Sequence, residues 1–310
     1  VFTPLHGKLR DRRDEFQKCA SVRIKTKFGA QIITAYETYV GDVPVYLVDG
    51  MPIKAAPDVY SNNRILDGRK FIALSRAIFP LCQKMSWIPD ILHANDWHTA
   101  VAIVEANACN HRSADEKPLK SVLTIHNLPF MGAGIDEVLD EYLIDPVTDP
   151  SLPVWAQKIP LPMGIACADS CIAVSPTYAS EIQTKEYGCG LEEYLSNNRH
   201  KLTGIINGID INLWDPQTDR ALCANFSAEK IGERSKNKHT LQSELNLPVD
   251  QSTPLLCFIG RMDHQKGVEI IPPALRMLKD TPWQCVFLGT GDSELEEAIR
   301  LFAAAFPEQV

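Results

Sequence analysis

The sequence predicts an α/β protein organised on parallel sheets, and three observations carry that expectation. From about residue 90 onward, short apolar strands, polar loops and helices follow one another repeatedly, the order that parallel strands covered by helices require. Unusual polar residues punctuate several strand ends, where open α/β sheets bind ligands. The composition is that of an ordinary globular chain, 310 residues with 45% hydrophobic and 23% charged, which excludes collagen, a disordered chain and a disulfide miniprotein. At roughly 100–200 residues per domain, that length predicts two domains or one large one.

Residues 31–48 alternate and then turn β-branched around Gly41-Asp42, which predicts a hairpin. A helix follows at about 69–85, with Phe71, Leu74, Ile78, Leu81 and Cys82 on one face. Residues 90–93 form a strand that enters a helix near 97–109. Strand 121–125 runs into His126-Asn127. Strand 170–174 meets Ser175-Pro176, a cap followed by proline at the first helical position. Strand 202–206 leads into Asn207-Gly208. A polar helix at about 228–244 precedes the proline-bearing stretch 247–254, read as a linker, so the domain boundary is expected at 247/248. The pattern then restarts with strand 255–259, helix 267–278, strand 285–288 and helix 293–305. Pro272-Pro273 should kink that first helix or delay its start, and Ser293 with Glu296 suggests a capping box. Val1 in place of methionine and the strand-like run 306–310 give the expectation that both ends are cut.

The formal charge is 31 − 39 = −8, and no run of Lys or Arg makes a basic stripe, so nucleic acid is not an expected partner. No stretch of about 18 apolar residues exists, so no membrane partner is expected either. The nine cysteines are odd in number and scattered, which argues against a secreted disulfide framework and for a cytoplasm-like compartment. Cys167 and Cys171 lack a second Cys or His pair and read as small buried hydrophobes rather than zinc ligands. The sequon Asn225-Phe226-Ser227 reads as chance in that setting.

Four strand ends could carry chemistry. In the run 93–99, Asn95, Asp96 and His98 adjoin a helix start and could hydrogen-bond a polyol or a leaving group; Asp96 could equally cap the helix, and Trp97 reads as core. His126 follows a fully apolar strand and either donates into a cleft or satisfies a nearby carbonyl. Asn207-Gly208 is first of all turn chemistry. In the run 260–267, Arg261 and Lys266 lie five apart between a strand and a helix, which in so acidic a chain reads as an anion site, with a solvated loop as the alternative. Gly289-Thr290-Gly291 is the one G-x-G after a strand, but Glu294 occupies the third position and the dinucleotide fingerprint fails. No Walker loop, G-x-S-x-G elbow or H-E-x-x-H is present.

Taken as a set, HANDWHTA at 93–100, TIHNLPFMG at 124–132, AVSPTYASEI at 173–182, YGCGLEEYL at 187–195, GIINGIDINLWDP at 204–216 and GRMDHQKGVEII at 260–271 resemble bacterial glycogen synthases and plant starch synthases. The six fall in that family's order across nearly the whole chain. The resemblance implies a GT-B fold of two Rossmann-like domains facing a cleft: residues 1–247 as the acceptor-side domain, 248–310 as the start of the donor domain. It implies transfer of glucose from ADP-glucose to the non-reducing end of an α-1,4-glucan, with retention, no metal, and no cofactor beyond the donor substrate. By motif, Arg261 and Lys266 would neutralise the donor diphosphate and His126 would face the transferred glucose with Asn127 beside it. Asp96 would bind a sugar hydroxyl, and His98, Asn207 and Gly208 would help line the site.

The family's K-T-G-G-L loop would precede Val1 and its E-P-C-G-L segment would follow Val310, so the chain alone is expected to be inactive. Asn95 stands where the family often has His. A UDP-glucose-dependent relative and a non-catalytic glucan-binding remnant are the alternatives. The expected compartment is cytoplasmic, or the plastid stroma in a plant or alga; oligomeric state is not legible.

Overall fold

The structure, a computed structural model, describes residues 1–61, 63–110, 119–278 and 280–310, with the side chains of Cys109 and Asn110 outside the described set. It divides into two compact units, 1–207 and 208–310.

The first unit opens with strands β1 (Phe2–Pro4), β2 (Gln17–Thr26), β3 (Gly29–Val40) and β4 (Val43–Gly50), in the order β1-β4-β3-β2. The expected hairpin forms at Gly41-Asp42: Val40 pairs with Val43, and Gly41 takes φ +57°, the left-handed geometry a two-residue turn demands. Strand β2 is only half legible in the sequence: Val22 and Ile24 alternate with the exposed Arg23 and Lys25, but the period breaks earlier, where the register shifts between Lys18 and Ala20. Helix α1 (Met51–Ala55) leads to α2 (Arg64–Lys84). The latter begins earlier than periodicity predicts because the Asn63 side chain accepts from the Ile65 and Leu66 amides. Its expected apolar face is buried, Phe71, Leu74, Ile78, Leu81 and Cys82 included.

Then come β5 (Ile91–Asn95), α3 (Asp96–Asn110), β6 (Lys120–Ile125), α4 (Asp136–Glu141), α5 (Pro160–Cys167), β7 (Ser170–Ala173), α6 (Pro176–Glu181), α7 (Glu192–Asn197) and β8 (Leu202–Gly204). The four strands pair in parallel in sequence order, as the alternation predicted. Ser175 caps α6 by accepting from the Tyr178 amide, with Pro176 in the first turn. Leu92, Leu123, Ile125 and Ala173 of this sheet form one core with Ile103 of α3 and Leu161 and Ile165 of α5. A second core joins Ile33 and Val48 of the first sheet to Ile72 and Leu74 of α2 and to Val101.

The second unit contains α8 (Arg234–Glu244), β9 (Leu255–Ile259), α9 (Ile271–Met277), β10 (Gln284–Leu288) and α10 (Ser293–Ala305), with β9 and β10 parallel. The division between units therefore falls at Asn207/Gly208 rather than 247/248. The physical reason is that α8 is tied to the chain on its C-terminal side. Lys238 Nζ donates to the Gln251 carbonyl at 2.8 Å, and the buried Gln242 amide donates to the Asp250 carbonyl at 3.0 Å and to Gln284 Oε1 at 2.6 Å. Pro272 and Pro273 delay the helix as expected: 268–270 form a 3-10 turn before α9 starts. The capping box at Ser293 does not form. Asp292 caps α10 instead, accepting from the Glu294 and Leu295 amides, and Glu296 accepts from the Gly291 amide at 2.8 Å.

All described cysteines are free, and no group of three or more His, Cys, Asp or Glu among the described residues could hold a metal. Among them, too, no helix is long and apolar enough to cross a membrane. Asn225 of the sequon donates its side-chain amide to the Pro216 and Asp219 carbonyls.

One buried charge ties α2 to the loop before it. Lys70 is fully buried; its Nζ lies 3.0 Å from Asp67 Oδ1 and donates to the Asp58 and Val59 carbonyls at 2.8 and 3.0 Å. Removing one partner of a buried pair leaves the other uncompensated and costs about 3–5 kcal/mol. Lys70→Met should therefore lower the urea-unfolding free energy of the first unit by about that much. A loss within about 1 kcal/mol, the range of a surface pair, would contradict this account.

Candidate active site

Strand pairing brings the ends of β5 and β6 side by side, Asn95 opposite Thr124. The chain leaves β5 through Asp96, which takes φ +51°, a left-handed conformation that costs a non-glycine residue roughly 1–2 kcal/mol. That turn aims its carboxylate across to the end of β6. Asp96 Oδ1 accepts from the His126 amide at 2.8 Å and from the Asn127 amide at 3.4 Å. Burial pushes the Asp96 carboxyl above its usual range, opposed by these two amides. The His126 side chain is exposed, its Nε2 3.0 Å from Asn95 Oδ1. The structure thus brings together Asp96, His126 and Asn127. Asp96 meets backbone amides, and they belong to the His126 turn rather than to its own helix.

Two further residues brace these strand ends, and the sequence alone did not single them out. The Tyr178 hydroxyl of α6 accepts from the Leu128 amide at 2.9 Å. The Thr99 hydroxyl accepts from the Asn95 amide at 2.6 Å and donates to the Asn95 carbonyl at 2.9 Å. A hydroxyl four residues into a helix was a usable signal for Thr99; nothing local marks Tyr178.

His98 points elsewhere. Its ring lies 4.5 Å from the Phe71 ring, 4.4 Å from Trp97 and 5.5 Å from Tyr60. Burial in this aromatic cluster pushes its pKa down to about 4, with nearby Lys70 adding to the shift, so at neutral pH it is an uncharged packing group.

In the second unit, Arg261 and Lys266 are exposed on the segment between β9 and α9. Asp263 organises it: Oδ1 accepts from the Gln265 amide at 2.9 Å, the carbonyl accepts from the Lys266 amide at 2.8 Å, and Oδ2 lies 3.3 Å from Arg261 Nη2. His264 Nδ1 lies 2.9 Å from Glu269 Oε1, and that hydrogen bond raises the His264 pKa. The G-x-G after β10 is a packing device. A Cβ on Gly289 would stand 1.8 Å from the Gly260 carbonyl oxygen, and one on Gly291 would stand 2.2 Å from that of Met262. Their bareness lets the two strand ends run in contact, with the Met262 amide donating to the Thr290 carbonyl at 2.9 Å. Asn207 and Gly208 are exposed, outside regular structure, at the division between the units.

The model of the starch synthase catalytic domain family matches residues 1–197. The glycogen synthase of Lactiplantibacillus plantarum is 38% identical over 275 residues, covering 87% of this chain and 57% of that one. That of Ligilactobacillus salivarius is 34% identical over 312 residues, covering 98% and 64%. The catalytic domain of starch synthase IV from Arabidopsis thaliana, solved bound to ADP and acarbose, superposes with a TM-score of 0.80 at 26% identity, over 95% of this chain and 62% of that one. The fold is thus that of a GT-B glycosyltransferase. The chain belongs to the starch synthase catalytic domain family, and it spans about 60% of the length of these relatives.

The half-buried His98 has a consequence for pH dependence. Its folded pKa of about 4 lies below the ordinary value of about 6.5, so the unfolded chain binds the extra proton first. The stability is present in full above about pH 6.5 and is lost as pH falls toward 4, by on the order of 1–3 kcal/mol. Urea unfolding of the first unit across that window should show this loss, and His98→Phe should flatten it. An equal slope in both proteins would contradict the assignment.

Proposed function

We propose that the protein carrying these residues transfers glucose from ADP-glucose to the non-reducing end of an α-1,4-glucan, with retention at the anomeric carbon. The observation that carries this reading is the His126 turn at the β5–β6 strand ends, held by Asp96, within the segment that matches the starch synthase catalytic domain. The first unit supplies the groups suited to the sugar. An exposed imidazole and the amide group of Asn127 offer donors and acceptors to hexose hydroxyls. The second unit supplies cations. As the bond from glucose to the diphosphate breaks, negative charge gathers on the leaving oxygens, and on this reading Arg261 and Lys266 stabilise it and lower the barrier. Arg261 is suited to fork onto a phosphate and Lys266 to act as a point charge. Asn207 and Gly208 serve on this reading as part of the site's lining, His98 as packing behind it, and no cofactor is required beyond the donor itself. That a starch synthase was solved with ADP and acarbose supports a nucleotide donor and a glucan-like acceptor here.

The test is incorporation of ADP-[14C]glucose into glycogen by the full-length protein. Label should enter the glycogen, and Lys266→Ala should cut donor turnover on the order of a hundred-fold, with glycogen binding unchanged. Equal donor kinetics in the variant would refute the phosphate role. Faster transfer from UDP-glucose would favour the UDP-dependent alternative, and glucan binding without transfer would mark a remnant.

A further inference from the structure

The end of β5 makes a second contact to His126 that this scheme does not use. Asn95 Oδ1 lies 3.0 Å from His126 Nε2, while the next residue, Asp96, holds the His126 amide. Since Asn95 pairs with Thr124, the contact is diagonal, two residues further along the neighbouring chain. The same diagonal occurs one step earlier: His93, opposite Val122, places Nε2 2.7 Å from Thr124 Oγ1. Residues two apart on a strand share a face, so the two contacts form a short ladder that ends at His126. The Asn95 backbone is itself held, because the Thr99 hydroxyl closes both its amide and its carbonyl.

We propose that Asn95 is a positioning residue for the His126 ring. The proposal rests on the reading of His126 as the group facing the transferred hexose and adds how its ring is set. Asp96 fixes the backbone and Asn95 fixes the far nitrogen, so both side-chain torsions are determined before substrate arrives. With Asn95 Oδ1 accepting, the proton resides on Nε2, and Nδ1 remains an acceptor suited to a hexose hydroxyl. A ring held in this way pays no ordering cost on binding.

The test uses the 310-residue chain with 13C-labelled histidine, the His126 signal being assigned by its disappearance in His126→Gln. Relaxation at the His126 ring should give an order parameter near that of rigid backbone, about 0.85. In Asn95→Ala it should fall below about 0.6 while the His126 amide signal stays in place. Asn95→Asp, which keeps an acceptor, should restore it. In the transfer assay, Asn95→Ala should lower kcat on the order of ten-fold with the donor KM unchanged, again recovered by Asn95→Asp. A ring equally ordered in Asn95→Ala, or an unchanged kcat, overturns the proposal. Failure of the unaltered protein to transfer glucose at all would instead count against the function, since the order parameters decide the positioning separately.

Discussion

The Asp96 carboxylate at the end of β5 is the contact on which the site depends. It binds the two backbone amides that begin the turn after β6, and it reaches them because the chain accepts a left-handed residue at the start of α3. Residues held in sparsely populated backbone conformations persist where the surroundings over-determine them. Here the surroundings are the Thr99 hydroxyl on one side and the Tyr178 hydroxyl under Leu128 on the other. A partly buried anion, a strained turn and an exposed imidazole thus form one unit. The parallel register supplies the frame, because it places Asn95 and Thr124 opposite each other and lets their successors meet.

The second unit solves a related problem with different means. Its two strand ends touch through bare glycines at 289 and 291, against the carbonyls of Gly260 and Met262. That close approach anchors the start of the 260–267 segment, and Asp263 then shapes the rest by capping its turn and pairing with Arg261. The carboxylate keeps the two cations on one short, ordered loop. It also holds Arg261 in an exposed ion pair, an interaction worth little at the surface.

Much of this was legible in the sequence, for reasons that differ by element. The parallel sheet could be read because its strands are short apolar runs with punctuated ends, and α6 because Ser175-Pro176 states its own start. Strand β2 could not, since a register shift between Lys18 and Ala20 breaks the period that Val22, Arg23, Ile24 and Lys25 keep. The boundary at 247/248 looked right because prolines mark it, but long-range hydrogen bonds from Lys238 and Gln242 fasten that stretch to the second unit. Asp292, rather than Ser293, caps α10, because a loop held by Glu296 sets the helix start one residue earlier. At the site, Asp96, His126 and Asn127 were visible as residues, whereas their mutual geometry was not. Local pattern cannot show that the Asp96 carboxylate crosses to the next strand, or that His98 turns into an aromatic cluster with Phe71 and Trp97.

The central claim is that Asp96 holds the His126 turn. Native-state amide hydrogen exchange at His126 tests it most directly, comparing the unaltered chain with Asp96→Ala. The account predicts slow exchange at His126 in the unaltered chain and loss of most of that protection in the variant. The amides of Val122 and Leu123, inside β6, should keep theirs. Equal protection at His126 in both proteins would contradict it.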